Sequence, residues 1–167
     1  MKKVLFIAFL AIAGFGKMNA QQGVLNGGLN VGIPVGDADN VSNFTLGAEL
    51  NYMFPVADGF TLGPSVQYSH FFGKEFDLGG GITAEASDLS FLPISGAARF
   101  NITNDFIVGA NIGYAVGLDD GNDGGFYYRP IIGHKIGDNT QLNLSYSGIS
   151  VDGGNISNIS LGIMFGL

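Results

Sequence analysis

The chain has 167 residues, the length of one domain. Its 14 Asp and Glu against 7 Lys and Arg leave no basic footprint for a nucleic acid, and the absence of cysteine excludes a disulfide framework, a thiolate nucleophile and a thiolate metal site. Charged residues are only 13% and glycine occupies 28 positions, whereas ordinary globular domains hold about 25% charged residues and about 7% glycine.

The first twenty residues have the layout of an export signal. Lys2 and Lys3 are followed by an apolar run from Val4 to Phe15, and the small Ala20 precedes the expected cut before Gln21. The run is too short for a spanning helix, which needs about 20 residues. Loss of Lys2, Lys3 and Lys17 leaves four basic residues against 14 acidic ones, a mature charge of about −10. Residues 21–167 contain no stretch of 18 consecutive apolar residues, so a membrane crossing by the mature chain requires a closed barrel.

From there the periodicity is two. Leu25, Leu29, Val31 and Ile33 are separated by Asn26, Gly28, Asn30 and Gly32. The next apolar sets are Phe44–Phe54, Phe60–Tyr68, Leu92–Phe100, Phe106–Val116, Tyr128–Ile136, Leu142–Tyr146 and Ile159–Leu167, each alternating mostly with Gly, Ser, Thr, Asn or Gln and, at single positions, with a charged residue or an apolar one such as Ala97 or Met164. This predicts an all-β fold of eight strands of roughly ten residues, the length of a tilted membrane strand. Short turns are expected at Pro55–Gly59, Asn101–Asp105 and Gly137–Asn139. Longer loops are expected at Pro34–Asn43, Gly73–Ser87, Asp119–Gly125 and Gly148–Asn155. Pro64, Pro93 and Pro130 fall inside strands, where each forfeits a ladder hydrogen bond and predicts a bulge or break.

The Leu/Phe face is expected to meet lipid. Aromatic residues gather at strand ends, as in interfacial girdles. The opposite face is built of small residues that suit a narrow lumen. Glu49, Arg99, Arg129 and Lys135 all fall on that polar face and form a candidate lumen charge network. Phe71, Phe91 and Tyr127 also face inward, toward the outer strand ends, where they could plug the mouth.

At the C-terminus, the alternation Ile159-Ser160-Leu161-Gly162-Ile163-Met164-Phe165-Gly166-Leu167 places an aromatic third from the end and an apolar residue last. It resembles the terminal-strand signal that marks barrels for outer-membrane assembly, with Phe165 matching and Leu167 standing where that signal favours Phe. With the export signal and the hairpin pattern, the mature chain resembles the small outer-membrane barrels of Gram-negative bacteria, the porin-family proteins akin to OmpA- and OmpX-type barrels. The resemblance implies an eight-stranded antiparallel up-and-down transmembrane barrel with both termini in the periplasm. It also implies outer-membrane lipid, lipopolysaccharide and the barrel-assembly machinery as partners, and a monomer without cofactor.

No catalytic set emerges from the residues. His70 has Phe71 and Phe72 as chain neighbours rather than a serine, and His134 lies two residues before a short turn, facing outward. Asp119-Asp120-Gly121-Asn122-Asp123-Gly124-Gly125 has the oxygen density of a cation loop. It lacks the closing Glu, Ile131 standing at the twelfth position from Asp120, and the expectation is a solvated loop with no metal. The acids in and beside the long loops could bridge through divalent cations to lipopolysaccharide phosphates. The residues therefore predict a non-enzymatic structural or surface-interaction role. Two alternatives stand beside it: a narrow pore gated by the Glu49 network, and a soluble exported barrel binding a hydrophobic ligand in a Leu/Phe interior.

Overall fold

A computed structural model describes residues 23–77, 80 and 83–167. The expected export signal at residues 1–20 lies outside the described residues. The strands are β1 (Val24–Val35), β2 (Ser42–Ala57), β3 (Phe60–Gly73), β4 (Glu75–Asp77), β5 (Thr83–Glu85), β6 (Leu89–Asn101), β7 (Phe106–Gly117), β8 (Gly125–Lys135), β9 (Thr140–Val151) and β10 (Gly154–Gly166). Eight of them close an antiparallel barrel in the order β1-β10-β9-β8-β7-β6-β3-β2, and β4 and β5 form a separate hairpin within the β3–β6 connection. The barrel strands run 11 to 16 residues, enough for the 9–11 or so that a bilayer requires. The start of β1, the end of β10 and three short turns share one end, here called the turn end. The β1–β2, β3–β6 and β7–β8 connections, which are longer, share the other end with the β9–β10 turn, here called the loop end.

Three connections differ from the sequence expectation. The Gly148–Asn155 loop shrinks to Asp152-Gly153, because Gly153 adopts a left-handed φ of 93° that lets β9 and β10 pair up to Val151 and Gly154. β1 continues through Pro34 to Val35, since Pro34 pairs with Asn158 of β10 after the β1–β2 ladder has ended at Gly32 and Thr45. A 3-10 turn, Gly36–Asn40, follows and buries Ala38 over the lumen. Within Gly73–Ser87, the hairpin β4–β5 replaces part of the expected loop.

The strand prolines produce breaks rather than bulges. A strand residue directs its N–H and C=O toward the same neighbour, so a proline damages one ladder and spares the other. Pro64 pairs with Gly96 of β6, while the β2–β3 ladder skips from Asn51–Ser65 to Phe54–Leu62. Pro93 pairs with Ala115, and the β3–β6 ladder skips between Val66–Ile94 and Ser69–Phe91. Pro130 pairs with Ala110, and the β8–β9 ladder skips between Tyr128–Gly148 and Ile131–Ser145. Register resumes unchanged beyond each gap. The irregularities that do shift register lie at the ends of β2, between Ser42 and Phe44 and between Pro55 and Ala57.

The apolar set of every barrel strand points outward. Leu29 and Leu161 are each 64% exposed and Ile33 61%, while Asn30, Thr45, Ser65, Asn111, Asn143 and Ser160 are buried inside. This overturns the Leu/Phe-interior alternative: below an aromatic cluster at one end the lumen is lined mostly by polar and small side chains, and the alternating Leu/Phe face is the outer one. Aromatic side chains cluster on the outer face near both ends. Phe44 stacks on Phe72 at 4.1 Å, and Tyr128 lies 6.3 Å from Phe126 and 6.1 Å from Tyr146. At the turn end Tyr52 meets Phe54 at 4.8 Å and Phe106 meets His134 at 4.6 Å.

Candidate functional site

The lumen divides into an apolar plug and a polar network. Phe71, Phe91, Ala115, Tyr127 and Ile149 pack with Ala38 at the loop end, bordered by Leu89, Val151 and Ile156. Phe71 and Phe91 meet edge to face with centroids 6.0 Å apart. The three aromatic residues thus occupy the mouth as their inward register and loop-end position implied, and the 3-10 turn completes the seal through Ala38, which no periodicity marked.

Below the plug lies Glu49, mid-strand in β2. Its Oε2 accepts from Arg129 Nη1 at 2.7 Å, and its Oε1 accepts from Ser65 Oγ at 2.9 Å, Asn51 Nδ2 at 3.1 Å and Asn111 Nδ2 at 3.2 Å. Arg99 Nη2 stands 3.7 Å from the same Oε1. Arg129 also donates to Gln67 Oε1 at 2.6 Å and to Ser145 Oγ at 3.0 Å, and Tyr127 donates its hydroxyl to Gln67 Oε1 at 3.1 Å. The network therefore joins β2, β3, β6, β7, β8 and β9 across the lumen. Its hydroxyl and amide members were visible only as alternating small polar residues. Nothing local distinguishes Ser65 or Asn111 from the other inward-facing polar positions.

Of the four predicted members, the structure unites Glu49, Arg99 and Arg129. Lys135 does not join them: it closes β8 at the turn end and makes no ion pair among the described residues. Five residues of extended strand lie between it and Arg129, too far for an ammonium to reach that residue's network. A second polar set, Asn158 with Thr45, Ser160 and Ser147, links β10 to β2 and β9.

His70 does have a serine neighbour, contrary to the expectation from its chain neighbours. Antiparallel pairing sets His70 of β3 opposite Ser90 of β6, and His70 Nδ1 lies 3.0 Å from Ser90 Oγ. Its Nε2 is 3.3 Å from Asp88 Oδ2. The trio has the composition of a hydrolytic triad, but its connections are those of a clamp. Ser90 is largely buried, and its N–H, a natural donor to an oxyanion, is given to Asp119 Oδ2 at 2.6 Å. A carboxylate at that spot opposes developing negative charge. Asp88 Oδ1 accepts from the Gly73 N–H at 2.8 Å, so one aspartate ties both stems of the β3–β6 connection. Asp88→Ala is expected to lower stability by less than about 1 kcal/mol, as for other exposed pairs. It should speed trypsin cleavage after Lys74 several-fold, as read by gel.

The Asp119–Gly125 segment behaves as a structured loop. Asp119 serves Ser90, Tyr114 donates to the Asp123 carbonyl at 2.9 Å, and Gly124 N–H donates to Asn122 Oδ1 at 3.1 Å. Among the described residues no group of three or more His, Cys, Asp or Glu is arranged to hold a metal. His134 faces outward against Phe106. Phe165 and Leu167 lie on the outer face at the seam, where Leu167 N–H donates to the Leu25 carbonyl at 2.9 Å and β10 closes on β1.

No protein-family model matches the chain, and no curated protein matches it. Solved structures do. A de novo designed transmembrane β-barrel superposes with a TM-score of 0.57 at 17% identity, covering 90% of this chain and all of the other. The attachment invasion locus protein Ail of Yersinia pestis, in a phospholipid nanodisc, gives 0.56 at 13% identity over 85% of this chain and 99% of its own. Neisserial surface protein A gives 0.50 at 11% identity over 90% and 100%. What the chain shares with all three is the fold, that of the small eight-stranded outer-membrane barrels.

Proposed function

We propose that the mature chain is an integral outer-membrane barrel with a non-enzymatic role in envelope structure or surface interaction. The observation that carries this reading is the partition of side chains. Large aliphatic residues cover the outside between two aromatic rings, and the charged residues of the barrel wall turn inward. Water would not select this arrangement, since an exposed apolar belt of this size aggregates. Lipid selects it, because a charge at the bilayer midplane costs about 2–4 kcal/mol for Arg or Lys. The turn end then faces the periplasm and the loop end the exterior, with the β4–β5 hairpin and the acidic loops available to partners. Outer-membrane lipid and lipopolysaccharide surround the wall of a monomer, and Phe165 with Leu167 on the terminal strand serves recognition by the assembly machinery.

A plug of aromatic side chains above a bonded charge network fills the lumen at two levels. That supports a structural or surface role over the narrow gated pore. Cell fractionation tests the membrane reading. The protein is expected in the detergent-dependent outer-membrane fraction, with a compact gel band that shifts after boiling. Recovery as a soluble periplasmic or secreted protein would overturn the proposal.

A further inference from the structure

The lumen carries more positive charge than its own acids balance. Of the chain's 14 acidic residues, Glu49 is the one that lies in a barrel strand. It meets two guanidinium groups, and they are not equally served. Arg129 holds Oε2 at 2.7 Å. Oε1 already accepts three hydrogen bonds and is 3.7 Å from Arg99 Nη2, beyond hydrogen-bond length. Arg99 spends Nη1 on Asn111 Oδ1 and on the carbonyls of Ala98 and Ala110. Its Nη2 and Nε find no hydrogen-bond acceptor among the described residues. Arginine cannot shed its proton to relieve this, so the single net positive charge of Arg99, Glu49 and Arg129 is left for water or an anion to meet.

The two arginines also differ in access. The Arg99 side chain is 12% exposed, against 3% for Arg129 and 1% for Glu49. Arg99 lies two residues before the turn end of β6, so its opening is toward that end, where Lys135 makes no ion pair among the described residues and Asp105 and Asp138 stand beside it. The opposite end is sealed by the plug. The N–H groups of Arg99 left without an acceptor are therefore the ones open to the turn-end half of the lumen.

We infer that the turn-end half of the lumen binds a small inorganic monoanion on Nη2 and Nε of Arg99. The inference rests on the closed barrel and its charge count, not on the membrane in which that barrel resides. The test uses the folded mature chain in zwitterionic detergent, unfolded by heat in sodium chloride or sodium gluconate at equal ionic strength. Chloride is expected to raise the midpoint saturably, as a ligand of the folded state does, and gluconate, too large for the lumen, is not. Arg99→Met should weaken the apparent chloride affinity by at least about tenfold, equivalent to about 1.4 kcal/mol. Crystals grown in sodium bromide should show anomalous density beside the Arg99 guanidinium, a readout that survives if the variant fails to fold. Identical midpoints in the two salts, a chloride effect retained in Arg99→Met, or bromide absent from Arg99 would each overturn the inference and leave water as the solvating group.

Discussion

Glu49→Ala is expected to be the most damaging single substitution in the lumen, lowering unfolding free energy by about 3–5 kcal/mol, as when one partner of a buried ion pair is removed. The side chain is 1% exposed and holds Arg129 at 2.7 Å while accepting from Asn51, Ser65 and Asn111. Its loss leaves two guanidinium groups facing each other in a narrow lumen with no acid between them. The chain has no tryptophan, so the measurement is urea unfolding in detergent or vesicles followed by far-ultraviolet circular dichroism and by the boiling-dependent gel shift. A double-mutant cycle separates the charge effect from simple loss of packing. Arg129→Met should cost clearly less in the Glu49→Ala background than in the native one, because it then removes an unbalanced charge. Equal costs in the two backgrounds would show that the pair contributes no coupling.

The second large effect belongs to the outer face. Leu161 lies mid-strand in β10, between Val31 and Leu144, and is 64% exposed. On a water-facing surface Leu161→Arg would change stability within about 0.5 kcal/mol. On a lipid-facing surface it should cost about 2–4 kcal/mol, with the largest penalty nearest the bilayer midplane. Folding titrations in phospholipid vesicles measure the difference directly. A neutral result would remove lipid from that face. The same substitution in detergent should cost less, because a micelle deforms more readily around a charge.

Alternation made the wall legible. Side chains in a strand switch faces every residue, which separates Leu161 and Ile33 from Glu49, Arg99 and Arg129; the charges and small residues of the second set mark it as the inner one, and the structure places them so. The same local rule put Phe71, Phe91 and Tyr127 on the inner face near the loop end, where they form the plug. It misjudged connections wherever pairing continues past a turn-like composition. Gly148 to Ser150 was expected to be loop, yet its partners Asn155 to Ser157 keep it in the ladder.

What the sequence by itself determined is therefore the eight strands of the wall and the two faces of each, from a period of two, and which face turns inward, from the placement of its charges, small residues and aromatics. The tertiary structure alone decided which inward residues meet. Barrel closure and strand tilt bring Glu49 to Arg129 across 80 positions of chain, bring Ser90 to His70 through an antiparallel register, and leave Lys135 at the turn end. The physical reason is that facing direction is a property of one residue's backbone. Proximity across a lumen depends on the shear of all eight strands together, and no segment of sequence carries that sum.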